Sequence, residues 1–109
     1  QLGRPEAAAA ALDKAVLVWP YEVEVHERLA NLHDNVGDYT GAVRERAAVV
    51  ALNPTDMAEA YYLLALAHQR ASDTPSARRA VLQALDIAPN YDAALELLLL
   101  LRSGNGATS

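Results

Sequence analysis

Three prolines at an almost fixed interval constrain this chain more than any other feature. Pro20, Pro54 and Pro89 are separated by 34 and 35 residues, and each follows an apolar run with helical character. A proline does not continue a helix, so each one closes a helical segment at the same point of a repeating unit. An interval of this size is typical of helical hairpins that stack on one another. The sequence therefore predicts a helical repeat rather than an irregular bundle.

Local signals divide the chain into helices. Phe is absent, and the Val-containing runs lie inside patterns of helical period, so strands are not expected. Gly37 is suited to end a helix. The residues suited to cap the next three helices are Asp38, Asp56 together with Glu59, and Asp73 or Thr74, and Asn90 is suited to cap the last helix. These signals predict six helices at residues 5–18, 22–36, 39–52, 57–71, 75–88 and 91–102. The connecting loops are short, so neighbouring helices should be antiparallel.

The period also predicts how the chain is organised. Residues 1–102 should form one domain with a partial repeat at 3–22, full repeats at 23–56 and 57–91, and a capping or partial helix at 92–102. Residues 103–109 are small and polar, which predicts a flexible tail. The chain is interpreted as a piece of a longer protein.

Small and large apolar residues recur at matching places in the two full units. The unit from residue 23 to residue 56 contains Leu29-Ala30, Gly37-Asp38-Tyr39, Ala42 and Pro54. The unit from Ala58 to Tyr91 contains Tyr61, Leu64-Ala65, Ala77, Ala84 and Pro89. With these motifs the sequence resembles the tetratricopeptide repeat family. The second unit has Ser72-Asp73-Thr74 in place of the usual Gly-Asp-Tyr turn, which makes that turn the weaker part of the resemblance.

The resemblance implies an all-α fold, a right-handed superhelical stack of antiparallel helix hairpins, known as an α-solenoid. Small residues should let the two helices of a hairpin approach closely, and these are Ala30, Ala42, Ala65 and Ala77. Large residues should fill the gaps between hairpins, and these are Leu29, Leu64, Tyr39 and Val81. A single hairpin cannot bury its own apolar face, so neighbours must stack.

The resemblance also implies where a ligand binds. In this family the first helix of each hairpin lines a concave groove, and peptides lie across it. Carried over to this sequence, the expected groove residues are Glu24, Glu27, Asn31, Asp34, Asn35, Tyr62, Leu66, Gln69, Arg70 and Glu96, with Leu100 beside them.

Charge in the expected groove indicates the kind of partner. Family members that clamp a terminal carboxylate use Lys and Asn in the first groove helix. Asn31 matches that pattern, but Glu27 stands where the Lys would be, and Arg70 is the one basic groove residue. A carboxylate would meet like charge there. A neutral or basic segment is therefore expected, with Tyr62 and Leu66 as an apolar foothold.

Other classes of function are disfavoured. The net charge of −5 argues against nucleic acid, the absence of Cys excludes thiolate sites, and the apolar run at residues 97–101 is too short to cross a bilayer. His26 and His33 lie about 10 Å apart along a helix, too far to share one zinc. His33 and His68 are interpreted as packing and capping residues. No catalytic constellation is recognised, so neither enzymatic activity nor a metal or cofactor is expected.

The leucine-rich last helix predicts a second kind of contact. Leu95, Leu98 and Leu99 form one stripe, and Leu97, Leu100 and Leu101 lie on the opposite side. The second stripe is predicted to mediate self-association, and the apolar residues 7–12 are expected to do so at the other end of the stack.

Three functions stay open at this stage. The leading hypothesis is a protein-binding scaffold that holds a peptide or protein segment in the groove. The alternatives are an accessory docking domain of a larger enzyme, such as an exported peptidase, and a structural self-association module. The compartment is left open between cytoplasm and periplasm.

Overall fold

The computed structural model describes residues 22–108, with side chains up to Arg102. Within this range the chain has five helices and no strand. We label the helices α1 (Glu22–Asn35), α2 (Tyr39–Ala51), α3 (Met57–Arg70), α4 (Thr74–Ile87) and α5 (Asp92–Thr108). The predicted all-α class is confirmed. The predicted helix at 5–18, and with it the apolar stretch at 7–12, lies outside the described residues.

The helices form a stack of hairpins. Each helix packs against the next one along the chain, and the described part measures 46 × 28 × 17 Å. An elongated stack with sequential contacts is the arrangement expected of a helical repeat. The predicted helix bounds from α1 to α4 agree with the structure to within one residue.

The turns inside the two hairpins have the same backbone path. Gly37 has φ +79° in the α1–α2 turn, and Ser72 has φ +65° in the α3–α4 turn. This left-handed conformation is easy for glycine and uncommon for serine, which is why the second turn looked weaker in the sequence. Ser72 nevertheless takes the same conformation, because the surrounding caps and helices require it.

Aspartates begin three of the helices. Asp38, Asp56 and Asp73 each accept a hydrogen bond from the backbone N–H three residues later, at 2.9, 3.0 and 3.2 Å. These bonds satisfy amides that the first helical turn leaves unpaired. The three predicted caps are therefore present. Asn90, which was expected to cap the last helix, is not adjacent to it, because α5 begins at Asp92.

The predicted small residues lie at the closest helix contacts. All four are fully buried at 0% exposure: Ala30, Ala42, Ala65 and Ala77. Among the predicted large residues, Leu29 and Val81 are buried, and Leu64 packs half-buried against the core. Tyr39 is a correction, since 41% of it is exposed. It is the first residue of α2, directly after the Asp38 cap, and this position lies at the rim of the stack.

The last helix differs from its prediction in two ways. It ends at Thr108 rather than at residue 102, because Gly104 and Gly106 lower helix propensity without forbidding a helix. The predicted self-association stripe is also largely wrong, because Leu97 and Leu101 are 3% and 4% exposed and belong to the core. Their side of α5 packs on the preceding hairpin, which leaves only Leu100 of that stripe at the surface.

The exposed side of α5 carries three leucines, whereas Leu98 packs half-buried against the core. Leu99 and Leu100 are 60% and 63% exposed, and Leu95 is 40% exposed. None of the helices between residues 22 and 108 has the length and apolar character needed to cross a lipid bilayer.

Candidate peptide-binding groove

The predicted groove residues are all accessible. They belong to α1 and α3, which are the first helices of the two hairpins, and to α5, which follows the second hairpin. Six are exposed (Glu24, Asn31, Asn35, Gln69, Arg70 and Glu96), and four are half-buried (Glu27, Asp34, Tyr62 and Leu66). Leu66 and Tyr62 also pack against the core beneath them. Helix faces that reach the surface in this way are available to a ligand.

One end of this surface is a polar depression of about 500 Å³. It brings together four predicted groove residues and one that the sequence analysis assigned to the core: Asn31, Asp34, Asn35, Arg70 and Tyr39. Tyr39 was missed as a surface residue because its aromatic ring suggested packing. Its place immediately after a capping aspartate was the signal for an exposed rim position.

An ion pair crosses this depression. The Arg70 guanidinium donates to Asp34 Oδ2 at 2.9 Å and so joins α3 to α1. Asp34 Oδ1 is buried and has no hydrogen-bond partner among the described residues. The pair offsets the charge of Arg70, which reduces the attraction of this surface for a ligand carboxylate. Because half of the Arg70 side chain is exposed, the pair contributes little to folding stability.

Asn31 is held by the second helix of its own hairpin. Arg46 Nη2 donates to Asn31 Oδ1 at 3.2 Å. Because the side-chain oxygen already accepts this bond, the amide NH2 is the group of Asn31 that can meet a ligand, and it would donate to a backbone carbonyl.

The other end of the surface is a crevice of about 460 Å³ between α1, the end of α2 and the start of α3. Three carboxylates line it: Glu27, Asp56 and Glu59. Its apolar walls are Val23, Val49, Ala60 and Leu63. We call this site the acidic crevice. From the sequence, Asp56 and Glu59 were expected only to cap a helix. Glu59 lies 35 residues after the groove residue Glu24, so it holds in the second hairpin the place that Glu24 holds in the first.

The corresponding place in the second hairpin is aromatic. Tyr62, which is equivalent to Glu27, packs against Tyr91 with ring centroids 5.3 Å apart. Burial raises the pKa of the Tyr91 hydroxyl, and the nearby carboxylates of Glu59 and Asp56 raise it further. The depression beside Tyr91 has one carboxylate in its lining, Asp56, among mostly small and apolar residues.

Residues 58–91 match the family model of the tetratricopeptide repeat. The match spans α3, its turn and α4, which is the second unit that the sequence predicted, and it confirms the suspected resemblance. A tetratricopeptide repeat is a protein-interaction module, and the match supports this general class of function. A search of curated proteins finds no match to the chain.

The histidine near the turn of each hairpin lies beside the aspartate that caps the following helix. His68 Nδ1 lies 3.9 Å from Asp73 Oδ2, and in the first hairpin His33 Nδ1 lies 2.9 Å from Asp38 Oδ2. Asp73 and Asp38 also accept the cap bonds of the following helices. In both hairpins the histidine thus packs beside the capping aspartate, which is a structural role.

Titration behaviour follows from these contacts. The hydrogen bond from the Gly41 N–H lowers the pKa of Asp38, and hydrogen bonds from Ser76 lower the pKa of Asp73. Burial lowers the pKa of His68 below its ordinary value, partly opposed by the charge of Asp73.

A third histidine pair lies between α1 and α2. His26 Nδ1 is 2.6 Å from Glu45 Oε1, and the two side chains are 17% and 13% exposed. The pair joins the two helices and points into neither of the depressions described above. Among residues 22–108, no three His, Asp or Glu side chains are close enough to hold one metal ion.

Proposed function

We propose that the chain is a scaffold that binds an extended polypeptide segment across α1, α3 and α5. One observation carries this proposal: the ten predicted groove positions on α1, α3 and α5 all remain accessible, and five of them line depressions large enough for side chains, namely Glu27, Asn31, Asp34, Asn35 and Arg70. The matched repeat supports the general class, since such repeats bind proteins or peptides.

The charges favour a neutral or basic segment. Arg70 is engaged by Asp34, whereas Glu27, Glu59 and Glu96 contribute negative charge to the same side of the stack. A ligand carboxylate would therefore find no unengaged cation among the ten predicted groove residues. Tyr62, Leu66 and the exposed Leu100 offer apolar contact, and the amide of Asn31 can donate to the backbone of the bound segment.

Peptide libraries test this function. Short acetylated peptides with a central Lys, Ala or Glu, flanked by randomised neutral residues, are passed over the immobilised protein. Retention should follow the order Lys, Ala, Glu. Stronger retention of the Glu library would contradict the charge argument.

Substitutions locate the binding surface. Asn31→Ala combined with Leu100→Ala removes one hydrogen-bond donor and one apolar contact without disturbing the core, because both side chains are exposed. Peptide retention should fall severalfold. The matched control is Leu82→Ala, an exposed leucine on α4 outside the proposed surface. Equal effects of the two variants would contradict the proposal.

Self-association is a second candidate, favoured by the exposed leucines of α5. Leu95, Leu99 and Leu100 leave an apolar strip at the end of the stack. Two copies that pair through it would remove this area from water. Light scattering should then detect a dimer that Leu99→Lys converts to monomer, and a monomer at high protein concentration would contradict this candidate.

A further inference from the structure

We propose that the acidic crevice receives a single lysine or arginine side chain of the bound segment. This inference rests on the proposed function and specifies the partner's chemistry at one place. The charge of the crevice carries the argument. Glu27 comes from α1, and Asp56 and Glu59 come from the start of α3, so carboxylates face the crevice from two elements.

The shape of the crevice favours a long side chain with a terminal charge. Val23, Val49, Ala60 and Leu63 provide apolar walls beside the carboxylates. Lysine and arginine bury an aliphatic stem against such walls while the cationic head reaches acidic groups. The volume of about 460 Å³ accommodates one such side chain.

Within the part of the chain that the structure describes, no competing cation lines the crevice, because none of its ten described lining residues is Lys or Arg. Asp56 uses Oδ1 to cap α3 through the Glu59 N–H. Among the described residues, the Glu27 and Glu59 carboxylates line the crevice without forming an ion pair, so their negative charge is available to an incoming cation.

The second hairpin supplies an internal comparison. Tyr62 replaces Glu27 there, and Tyr91 replaces Asp56, and the two rings contact each other. An apolar or aromatic side chain is the better complement for that place. The two hairpins together therefore specify a register: the basic residue lies over the first hairpin, and an apolar residue of the segment lies over the second.

A small cation tests the crevice separately from peptide binding. n-Butylguanidinium chloride reproduces an arginine head with an aliphatic stem, and its binding is followed by NMR. The amides of Val23, Ala60 and Leu63 should shift on titration. Glu27→Gln with Glu59→Gln should weaken binding by about three- to tenfold, since exposed ion pairs are individually weak. High salt should weaken it as well.

Two further variants sharpen the test. Asp86→Asn is the matched control, because Asp86 is an exposed carboxylate on α4 that belongs neither to the proposed groove nor to the crevice lining. It should leave n-butylguanidinium binding unchanged. Glu27→Tyr copies the second hairpin and should abolish the binding. Circular dichroism checks that each variant stays helical.

The outcomes separate this inference from the proposed function. If peptides are retained but the Glu27→Gln, Glu59→Gln variant still prefers the Lys library over the Ala library, the inference is overturned and the scaffold function stands. If no library is retained while n-butylguanidinium shifts the crevice amides, the scaffold function fails and the cation site stands. Shifts that are absent, or equal in the wild type and the double variant, overturn the cation site.

Discussion

The two hairpins share a backbone and differ in what lies between their helices. In the second hairpin, Ala80 and Val81 of α4 are buried among apolar residues. At the equivalent places α2 has Glu45 and Arg46, which bind His26 and Asn31 of α1. The first hairpin is therefore joined by polar pairs where the second is joined by apolar contact.

The two hairpins also differ in the residues at their surfaces and in how far their cores extend. The core cluster of the second hairpin extends into α5 through Ala94, Leu97 and Leu101. On the groove side, the aromatic pair of Tyr62 and Tyr91 lies between α3 and the start of α5, whereas the acidic crevice lies between the first hairpin and the start of α3. The two hairpins therefore share their turns and their small inter-helix residues, which determine the repeat. The remaining positions differ in chemistry and so determine which ligand each hairpin can bind.

The largest effect is expected from exchanging the interior residues. Val81→Arg places a charge where the side chain is fully buried, which should destabilise the fold by about 3–5 kcal/mol. The reciprocal Arg46→Val should change stability by no more than about 1 kcal/mol, because Arg46 is only half-buried. Urea unfolding followed by circular dichroism measures both. Similar losses of stability in Val81→Arg and Arg46→Val would contradict the difference between the interiors of the two hairpins.

The two sides of α5 should differ almost as much. Leu97→Ala removes a buried side chain from the second hairpin's core and should cost about 2–4 kcal/mol. Leu100→Ala changes an exposed side chain and should stay within about 0.5 kcal/mol. The same unfolding measurement applies. An equal or larger loss for Leu100→Ala would contradict the burial of Leu97 and the exposure of Leu100.

These two variants mark the limits of prediction from the sequence. The prolines, the capping aspartates and the alanines predicted the helices and the stack, because each acts through local chemistry. Which leucines of α5 face inward could not be predicted, since leucines lie on all sides of this helix and only packing on the preceding hairpin buries Leu97 and Leu101 while Leu100 stays exposed. The acidic crevice was missed because Glu27 is distant in sequence from Asp56 and Glu59 and meets them only when the hairpins stack.

A smaller effect is expected at the turns. Ser72→Gly relieves a left-handed serine and should stabilise the protein by up to about 1 kcal/mol. Gly37→Ser should destabilise it by a similar amount, and through backbone conformation alone, because nothing lies within 4 Å of an added Cβ. Thermal unfolding compares the two. Stabilisation by Ser72→Gly together with destabilisation by Gly37→Ser would support the conclusion that the two turns are equivalent. Destabilisation by Ser72→Gly would contradict it.

The smallest effect concerns pH. Burial lowers the pKa of His68 below its ordinary value of 6.5, so the folded state favours the neutral ring. This contribution is fully present above pH 6.5 and is lost as the pH falls towards the lowered pKa. His68→Gln should flatten the loss of stability below pH 6.5, measured by urea unfolding across a pH series. If the stability of His68→Gln falls with pH as steeply as that of the wild type, the conclusion that burial lowers the pKa of His68 is contradicted.

Site-specific cross-linking tests the central claim, that a segment lies across the first helices of the hairpins. Benzoylphenylalanine is placed at Gln69 on the proposed surface of α3, or at Gln83 on α4, and both positions are exposed. Short acetylated peptides with a central arginine are then added and irradiated. If the segment lies across the first helices, a cross-linked product forms at position 69 and little product forms at position 83. Equal products at both positions, or a greater yield at position 83, would contradict it.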